Sequence, residues 1–255
     1  MVNSIIPAFP EKSRMPQNDG SSIIEISELF TNTVQGEGKY IGYPATFLRM
    51  KKCTLNCGFC DTTEVWRSGN SYSAMELLEI FDNFDIVNLL VNGQHLVLTG
   101  GSPLLQQKSL VEFFSLFKSK YHFLPFVEIE NEAVLMPIDG ILQYVSHWNN
   151  SPKLSNSNMR KNVRYKSNII RLLSNFGDIS SFKFVVSKEE DWKEIEEDFL
   201  KTHLIQKDQI ILMPEGTSRE ELRKNYNFVL DLACKYNVRM TDRLQITIFD
   251  RTVGV

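Results

Sequence analysis

The feature that most limits how this chain can fold is an alternation of two hydrophobic periods along its length. Short β-type runs at Ile24–Thr33, Ala45–Met50, His95–Thr99, Pro125–Glu130, Ser181–Ser187 and Gln209–Met213 are separated by stretches with helical spacing of apolar residues. Ser73–Phe84 opens with the capping box Ser73-Ala-Met-Glu76 and carries Leu77, Ile80, Phe81 and Phe84 on one face. Leu110, Val111, Phe113, Phe114 and Phe117 mark the next helix. Ser187–Glu190 and Ser218–Glu221 read as capping boxes of two more. The first turns Trp192, Ile195 and Phe199 inward, the second Leu222, Tyr226, Val229, Leu230 and Ala233. Strand–helix alternation predicts parallel βα units. The units are too few for an eight-fold barrel, so the expected class is α/β with an open, partial barrel. A further strand is expected at Leu142–Trp148, a helix with a solvated basic face at Asn156–Phe176, and a closing strand at Arg243–Phe249. Residues 1–21 hold three prolines, and Asn18–Ser22 has loop chemistry, so a mobile tail is expected there, followed by a single domain over 22–255.

The stretch Lys51–Thr63, KKCTLNCGFCDTT, sets Cys53, Cys57 and Cys60 in the spacing C-x-x-x-C-x-x-C. Three thiolates so close in sequence can hold three irons of a cubane cluster, and they leave the fourth iron open to a small molecule. A zinc site would need a fourth ligand nearby. His95, His122, His147 and His203 are scattered outside the loop. A disulfide framework needs paired cysteines and an oxidising compartment, and three clustered cysteines with one distant Cys234 fit that badly. Cys234 neighbours the inner face of the last long helix and reads as a buried or partly buried structural thiol.

Other candidates sit just after predicted strands, where open parallel sheets gather ligands. They are the cysteine loop, the Gly100-Gly101 turn, Glu130 and Ser151-Pro152-Lys153. Gln35-Gly36-Glu37-Gly38 combines glycines that allow close backbone approach with side chains able to read the edge of a heterocycle. Arg49, near the end of an apolar strand, is either paired structurally or aimed at an anion, and its planar fork suits a carboxylate. A formal charge of −3 gives no broad basic surface, so nucleic acid is not an expected partner. No apolar run is long enough to span a bilayer, and the first residues lack the apolar core of a secretory signal. Free thiols of a cluster site belong in a reducing interior, which makes a cytoplasmic location the expectation.

Taken together, these motifs resemble the 7-carboxy-7-deazaguanine synthase family of the radical S-adenosylmethionine superfamily. The resemblance rests on Thr33-Val-Gln-Gly-Glu-Gly38, Phe47-Leu-Arg49, the three cysteines, Cys60-Asp61-Thr62, Thr99-Gly-Gly101, Ser151-Pro-Lys-Leu154, Leu212-Met-Pro-Glu-Gly216 and Gly254-Val255. It implies a partial parallel βα barrel of the radical S-adenosylmethionine type. It also implies a 4Fe–4S cluster on Cys53, Cys57 and Cys60, and contacts to S-adenosylmethionine from Phe59, Cys60, Asp61, Gly101, Ser151, Pro152 and Lys153. Thr62 would ligate Mg²⁺, a hard ion suited to oxygen. The pterin substrate, 6-carboxy-5,6,7,8-tetrahydropterin, would meet Val34, Gln35, Gly36, Glu37, Arg49, Thr99 and the carboxylate of Val255. The implied reaction is a radical ring contraction that loses ammonia and yields 7-carboxy-7-deazaguanine. An electron donor such as flavodoxin or ferredoxin and a homodimer are implied with it. The chain departs from the family pattern at Ser102, where glutamate is usual, at Glu130-Asn131-Glu132-Ala133, usually Glu-Thr-Asn-Gly, and at Gln245, where histidine is common. Two other readings compete. A glycyl-radical activase would act on a protein and need no Mg²⁺, and a non-catalytic metal module would need only the cysteine loop.

Overall fold

The structure is a computed structural model and describes residues 2–10 and 14–252. In chain order the strands are β1 (Asn3–Ile6), β2 (Ile23–Val34), β3 (Pro44–Met50), β4 (Asn70–Ser73), β5 (His95–Gly100), β6 (Val127–Asn131), β7 (His147–Asn150), β8 (Ser180–Val186), β9 (Ile210–Pro214) and β10 (Arg239–Met240). They form one sheet in the order β1-β2-β3-β5-β6-β7-β8-β9-β10, with β4 also paired to β2. Every pairing from β3 through to β10 is parallel. Strands β1, β3 and β4 run antiparallel to β2. The class is α/β, a partial parallel βα barrel.

The helices are α1 (Thr63–Arg67), α2 (Ala74–Asn83), α3 (Ile86–Val91), α4 (Gln107–Tyr121), α5 (Asp139–Leu142), α6 (Lys161–Arg164), α7 (Ser167–Ser174), α8 (Glu189–Ile195), α9 (Arg219–Tyr236) and α10 (Leu244–Phe249). Strand side chains alternate in direction, so each parallel strand divides its residues between two faces. Leu48 and Met50, Leu96 and Leu98, Val127 and Ile129, Phe182 and Phe184, and Ile210 and Leu212 join one large core with Leu77, Phe81, Phe113 and Phe117 of the helices. On the other face Arg49, Thr99, Glu128 and Glu130, Asn149, and Lys183 are polar or charged, while Val97 and Ile211 stay apolar and Val97 packs with Phe30, Ala45 and Phe47. Such charges buried in a strand are tolerable only when paired or hydrogen-bonded. The second face is therefore a polar interior, and it is where ligand chemistry can sit.

The sheet is closed by loops where strands do not meet. Leu244 N–H donates to the Gly36 carbonyl at 2.9 Å, and Gly38 N–H donates to Thr241 Oγ1 at 2.9 Å. The loop after β2 thus meets the segment after β10. A Cβ on Gly36 would lie 1.9 Å from Gln245 Oε1 and 3.2 Å from the Gln245 backbone nitrogen, so any side chain here would displace the Gln245 amide.

Several expectations are corrected. Part of the expected tail is sheet: β1 pairs with β2, and Ile6 is buried in the main core. Arg14 then lies over the Tyr72 ring and pairs with Glu76. The strand expected at Leu142–Trp148 begins only at His147 with β7, because α5 ends at Leu142 and residues 143–146 turn between the two. The single helix expected over Asn156–Phe176 is broken at Asn158, which takes the left-handed conformation, and again at the extended Tyr165. Its basic residues are not all solvated: Arg164 is buried and donates to the carbonyls of Lys153 and Met159 at 2.9 and 3.1 Å. The capping box of α8 is shifted by one residue, with Asp191 accepting from the N–H groups of Ser187 and Lys188. The closing strand is the helix α10, and Cys234 is exposed, as is Leu230.

Candidate active site

A cavity of about 630 Å³ opens on the polar face at the C-terminal ends of the parallel strands. That size is ordinary for a small-molecule site. Its wall contains Val34 at the end of β2 and Gln35, Gly36 and Glu37 after it, Arg49 on β3, Cys53, Cys57, Phe59, Cys60, Asp61 and Thr62 of the loop after β3, Thr99 on β5 and Gly101 after it, and Ser151 and Lys153 after β7. These sequence candidates, drawn from stretches far apart in the chain, share one space. Pro152 is buried outside the wall, and Val255 lies outside the described residues.

The cysteine loop packs directly on the Gly100-Gly101 turn. Gly101 has no room for a side chain: a Cβ would sit 1.9 Å from the Lys52 carbonyl oxygen. Ser102 N–H donates to that same carbonyl at 2.8 Å. All four cysteines are free, and the three in the loop are half-buried. Burial pushes the Cys53 thiol up, opposed by the Leu55 N–H and the Ser102 hydroxyl. It pushes the Cys57 thiol up as well, opposed by the Lys153 ammonium. Among the described residues no three His, Cys, Asp or Glu side chains gather around a point for one ion. A cubane makes no such demand, because each thiolate binds a different iron. Three thiols on one wall of a roomy cavity, backed by glycine backbone, fit such a cluster.

The other part of the site is a buried network of charge. Glu37 pairs with Lys183 and accepts from Arg243 Nε at 3.0 Å and from Gln245 Nε2 at 2.6 Å. Burial alone would raise the Glu37 carboxyl, but the two cations hold it well below the ordinary range. The same pairing, with Glu130, keeps Lys183 charged against its burial. Arg243 also donates to Asp61 Oδ2 at 2.5 Å and to the Gly216 carbonyl at 2.6 Å. It therefore ties the network to the cysteine loop. Gln35 Nε2 donates to Glu128 Oε1 at 2.8 Å, and Thr99 Oγ1 donates to Glu130 Oε2 at 2.6 Å. Both readings of Arg49 meet here: it lies on the cavity wall, and its Nε donates to Glu28 Oε1 at 2.5 Å. Thr62 precedes α1 but makes no side-chain cap, so its hydroxyl is not committed to the helix.

Sequence reading missed Glu28, Lys183 and Arg243 as part of the site, and met Glu132 only as a departure from pattern. The signal for Lys183 was present: a lone lysine in Ser-Phe-Lys-Phe-Val-Val, a strand otherwise suited to full burial. Arg243 carried no such signal, because the segment after it is not a strand.

A profile of 4Fe–4S single cluster domains matches residues 34–129. The 7-carboxy-7-deazaguanine synthase of Pyrobaculum aerophilum is 31% identical over 234 residues, covering 91% of this chain and 97% of that one. The protein of the same name from Halobacterium salinarum is 29% identical over 269 residues, covering 96% and 98%. The crystal structure of QueE from Escherichia coli superposes with a TM-score of 0.63 at 20% identity, covering 88% of this chain and 95% of that one, and shares the fold.

Proposed function

Since the chain belongs to the 7-carboxy-7-deazaguanine synthase family of radical S-adenosylmethionine enzymes, we propose that its cavity converts 6-carboxy-5,6,7,8-tetrahydropterin to 7-carboxy-7-deazaguanine with loss of ammonia. The observation that carries this reading is the meeting of the cysteine loop with the Gln35–Glu37, Arg49 and Thr99 positions in one cavity. A 4Fe–4S cluster held by Cys53, Cys57 and Cys60, with S-adenosylmethionine, supplies the radical chemistry when bound.

The chain's own residues bind, orient and exclude water. Gln35 and the ionised Glu37 offer an acceptor edge to the N–H groups of the pterin ring. Glu28 engages only the Nε of Arg49, so the outer guanidinium N–H groups can take the substrate carboxylate. Glu130 accepts from Thr99 on one oxygen and from Gln35 Nε2 at 3.3 Å on the other, with Lys183 at 4.0 Å, and so presents a fixed carboxylate to the substrate side of the cavity. Ser151, Lys153 and the turn at Gly101 line the side of the cavity near the cysteines, and with Phe59 and Asp61 they would hold S-adenosylmethionine. Pro152 shapes that turn from behind the wall. The Thr62 hydroxyl, which caps no helix and lies 3.8 Å from Cys60 Sγ, would ligate Mg²⁺. Family membership supports three further parts of the proposal: Val255 as a substrate contact, a homodimer, and a flavodoxin- or ferredoxin-type electron donor. Residues 22–255 would act as one domain, and the reduced thiols suit a cytoplasmic location. No helix among the described residues is long and apolar enough to cross a membrane.

The test is anaerobic turnover of the reconstituted protein with 6-carboxytetrahydropterin, S-adenosylmethionine, reductant and Mg²⁺, read by mass spectrometry. Formation of 7-carboxy-7-deazaguanine establishes the reaction. Formation of 5′-deoxyadenosine alone would mean a different substrate and would favour the activase reading.

A further inference from the structure

Glu132 is an anomaly at the edge of the cysteine loop. It follows β6, is 6% exposed, and forms part of the cavity wall beside Cys53. One carboxylate oxygen, Oε1, accepts from the Thr54 hydroxyl at 2.6 Å and from the Ser102 hydroxyl at 2.8 Å. The other, Oε2, is buried and has no partner. Neither oxygen has a cation, whereas Glu28, Glu37 and Glu130 on the same wall each lie within 4.0 Å of one. A buried carboxylate in this state is unfavourable unless a positive group reaches it from a ligand.

The hydroxyls around Glu132 form a dedicated holder. Ser102 Oγ accepts from Thr54 N–H at 3.0 Å, which leaves its own proton for the carboxylate. Ser102 Oγ also lies 3.6 Å from Cys53 Sγ, so the carboxylate is separated from a cluster thiol by one hydroxyl. Two departures from the family pattern, at Ser102 and within Glu130–Ala133, thus touch each other in space.

We propose that Glu132 is a binding residue for S-adenosylmethionine in this chain, its carboxylate accepting from the N–H groups of the ligand's α-amino nitrogen, with Ser102 and Thr54 as positioning residues. This inference rests on the radical S-adenosylmethionine reading of the cavity and names the acid that serves it. The amino N–H groups supply the donors that the buried Oε2 lacks. The lysine at 153, on the next strand's loop, suits the ligand's carboxylate at the same end.

The experiment measures equilibrium binding of two probes to the cluster-reconstituted protein: S-adenosylmethionine, and 5′-deoxy-5′-methylthioadenosine, which lacks the amino-acid portion. Glu132→Gln keeps the shape and the two hydroxyl contacts but removes the charge. Its expected effect is at least tenfold weaker S-adenosylmethionine binding and less than twofold change for methylthioadenosine, at unchanged iron and sulfide content. The double variant S102E/E132N, which carries the acid on the other side of the contact, is expected to recover binding to within about threefold of the parent. Equal weakening of both probes would mean that Glu132 is only structural. Unchanged S-adenosylmethionine binding in Glu132→Gln would overturn the proposal while leaving the proposed function standing. Absence of S-adenosylmethionine binding by the unaltered, fully loaded protein would overturn both.

Discussion

Lys183 on β8 and Glu37 in the loop after β2 form a buried ion pair across 146 positions of sequence. Both side chains are at least 88% removed from solvent, at 5% and 12% exposure. Removing one partner of such a pair leaves an uncompensated charge, which typically costs about 3–5 kcal/mol. Arg243 remains beside Glu37, so Lys183→Met is expected at the low end, about 3 kcal/mol less stable. Urea unfolding checks this. The double variant K183M/E37Q is expected to recover part of the loss, because it removes the Glu37 charge together with its partner, while Glu130 still loses the Lys183 cation.

Gly101→Ala is expected to damage cluster assembly before it damages the sheet. The added methyl would meet the Lys52 carbonyl oxygen at 1.9 Å and the Lys52 carbonyl carbon at 2.4 Å, both backbone atoms of the cysteine loop. Overpacking of this kind costs about 1–3 kcal/mol, and here the strain falls on the loop that carries the thiols. Iron retained per chain after reconstitution should fall severalfold, with a smaller decrease in the thermal midpoint.

The four cysteines should separate cleanly. Cys57→Ala is expected to lose the visible absorption of the cluster and all cleavage of S-adenosylmethionine. Cys234→Ser, which alters an exposed thiol on α9, should keep full iron content and activity. Equal loss of iron in both variants would contradict the three-thiolate assignment.

Acid should unfold the protein partly through His147. Its ring is fully buried at the inner end of β7, and burial pushes its pKa down to about 3, with Lys39, Arg239 and His95 acting in the same sense. The native state therefore binds this proton less readily than the unfolded chain, whose histidine titrates near 6.5. The associated stability is complete above about 6.5 and is lost as pH falls toward 3, at up to about 1.4 kcal/mol per pH unit. Glu37, also depressed, adds to the slope below its ordinary range near 4.5. His147→Gln, which can keep a bond to Ser181, should flatten the dependence between pH 6.5 and 4 in thermal melts of the cluster-free protein. An unchanged slope would assign the acid loss to other groups.

The parallel strands were legible because their outer faces are apolar in alternate positions and their ends carry glycine or the motif residues. Helices α2 and α9 were legible at their starts, where Ser73 and Ser218 accept from Glu76 and Glu221 N–H groups. Illegible segments have tertiary causes. Leu244, Ile246 and Ile248 alternate like a strand, but β10 is two residues long and offers no ladder to extend. Arg219 instead binds the carbonyl of Thr247, and Tyr226 meets Thr247 Oγ1 at 2.9 Å, which fixes a helix. Arg164 looked like one more basic surface residue, yet it holds the carbonyl of Lys153. In the candidate site, the motif residues were found one by one. The partners that charge and position them come from the inward-facing side of strands, as Glu28 and Lys183 do, or from the helix start after β10, as Arg243 and Gln245 do, and only the tertiary fold reveals which charges meet.

The seam between the loop after β2 and the segment after β10 sets an order of events during synthesis. The cysteine loop leaves the ribosome long before Arg243, which joins Glu37 over 206 positions. A nascent chain can therefore present its three thiols while the wall that reads the substrate is still missing. Metal loading can precede completion of the substrate pocket, whose wall closes only when the segment around Arg243 docks on Glu37.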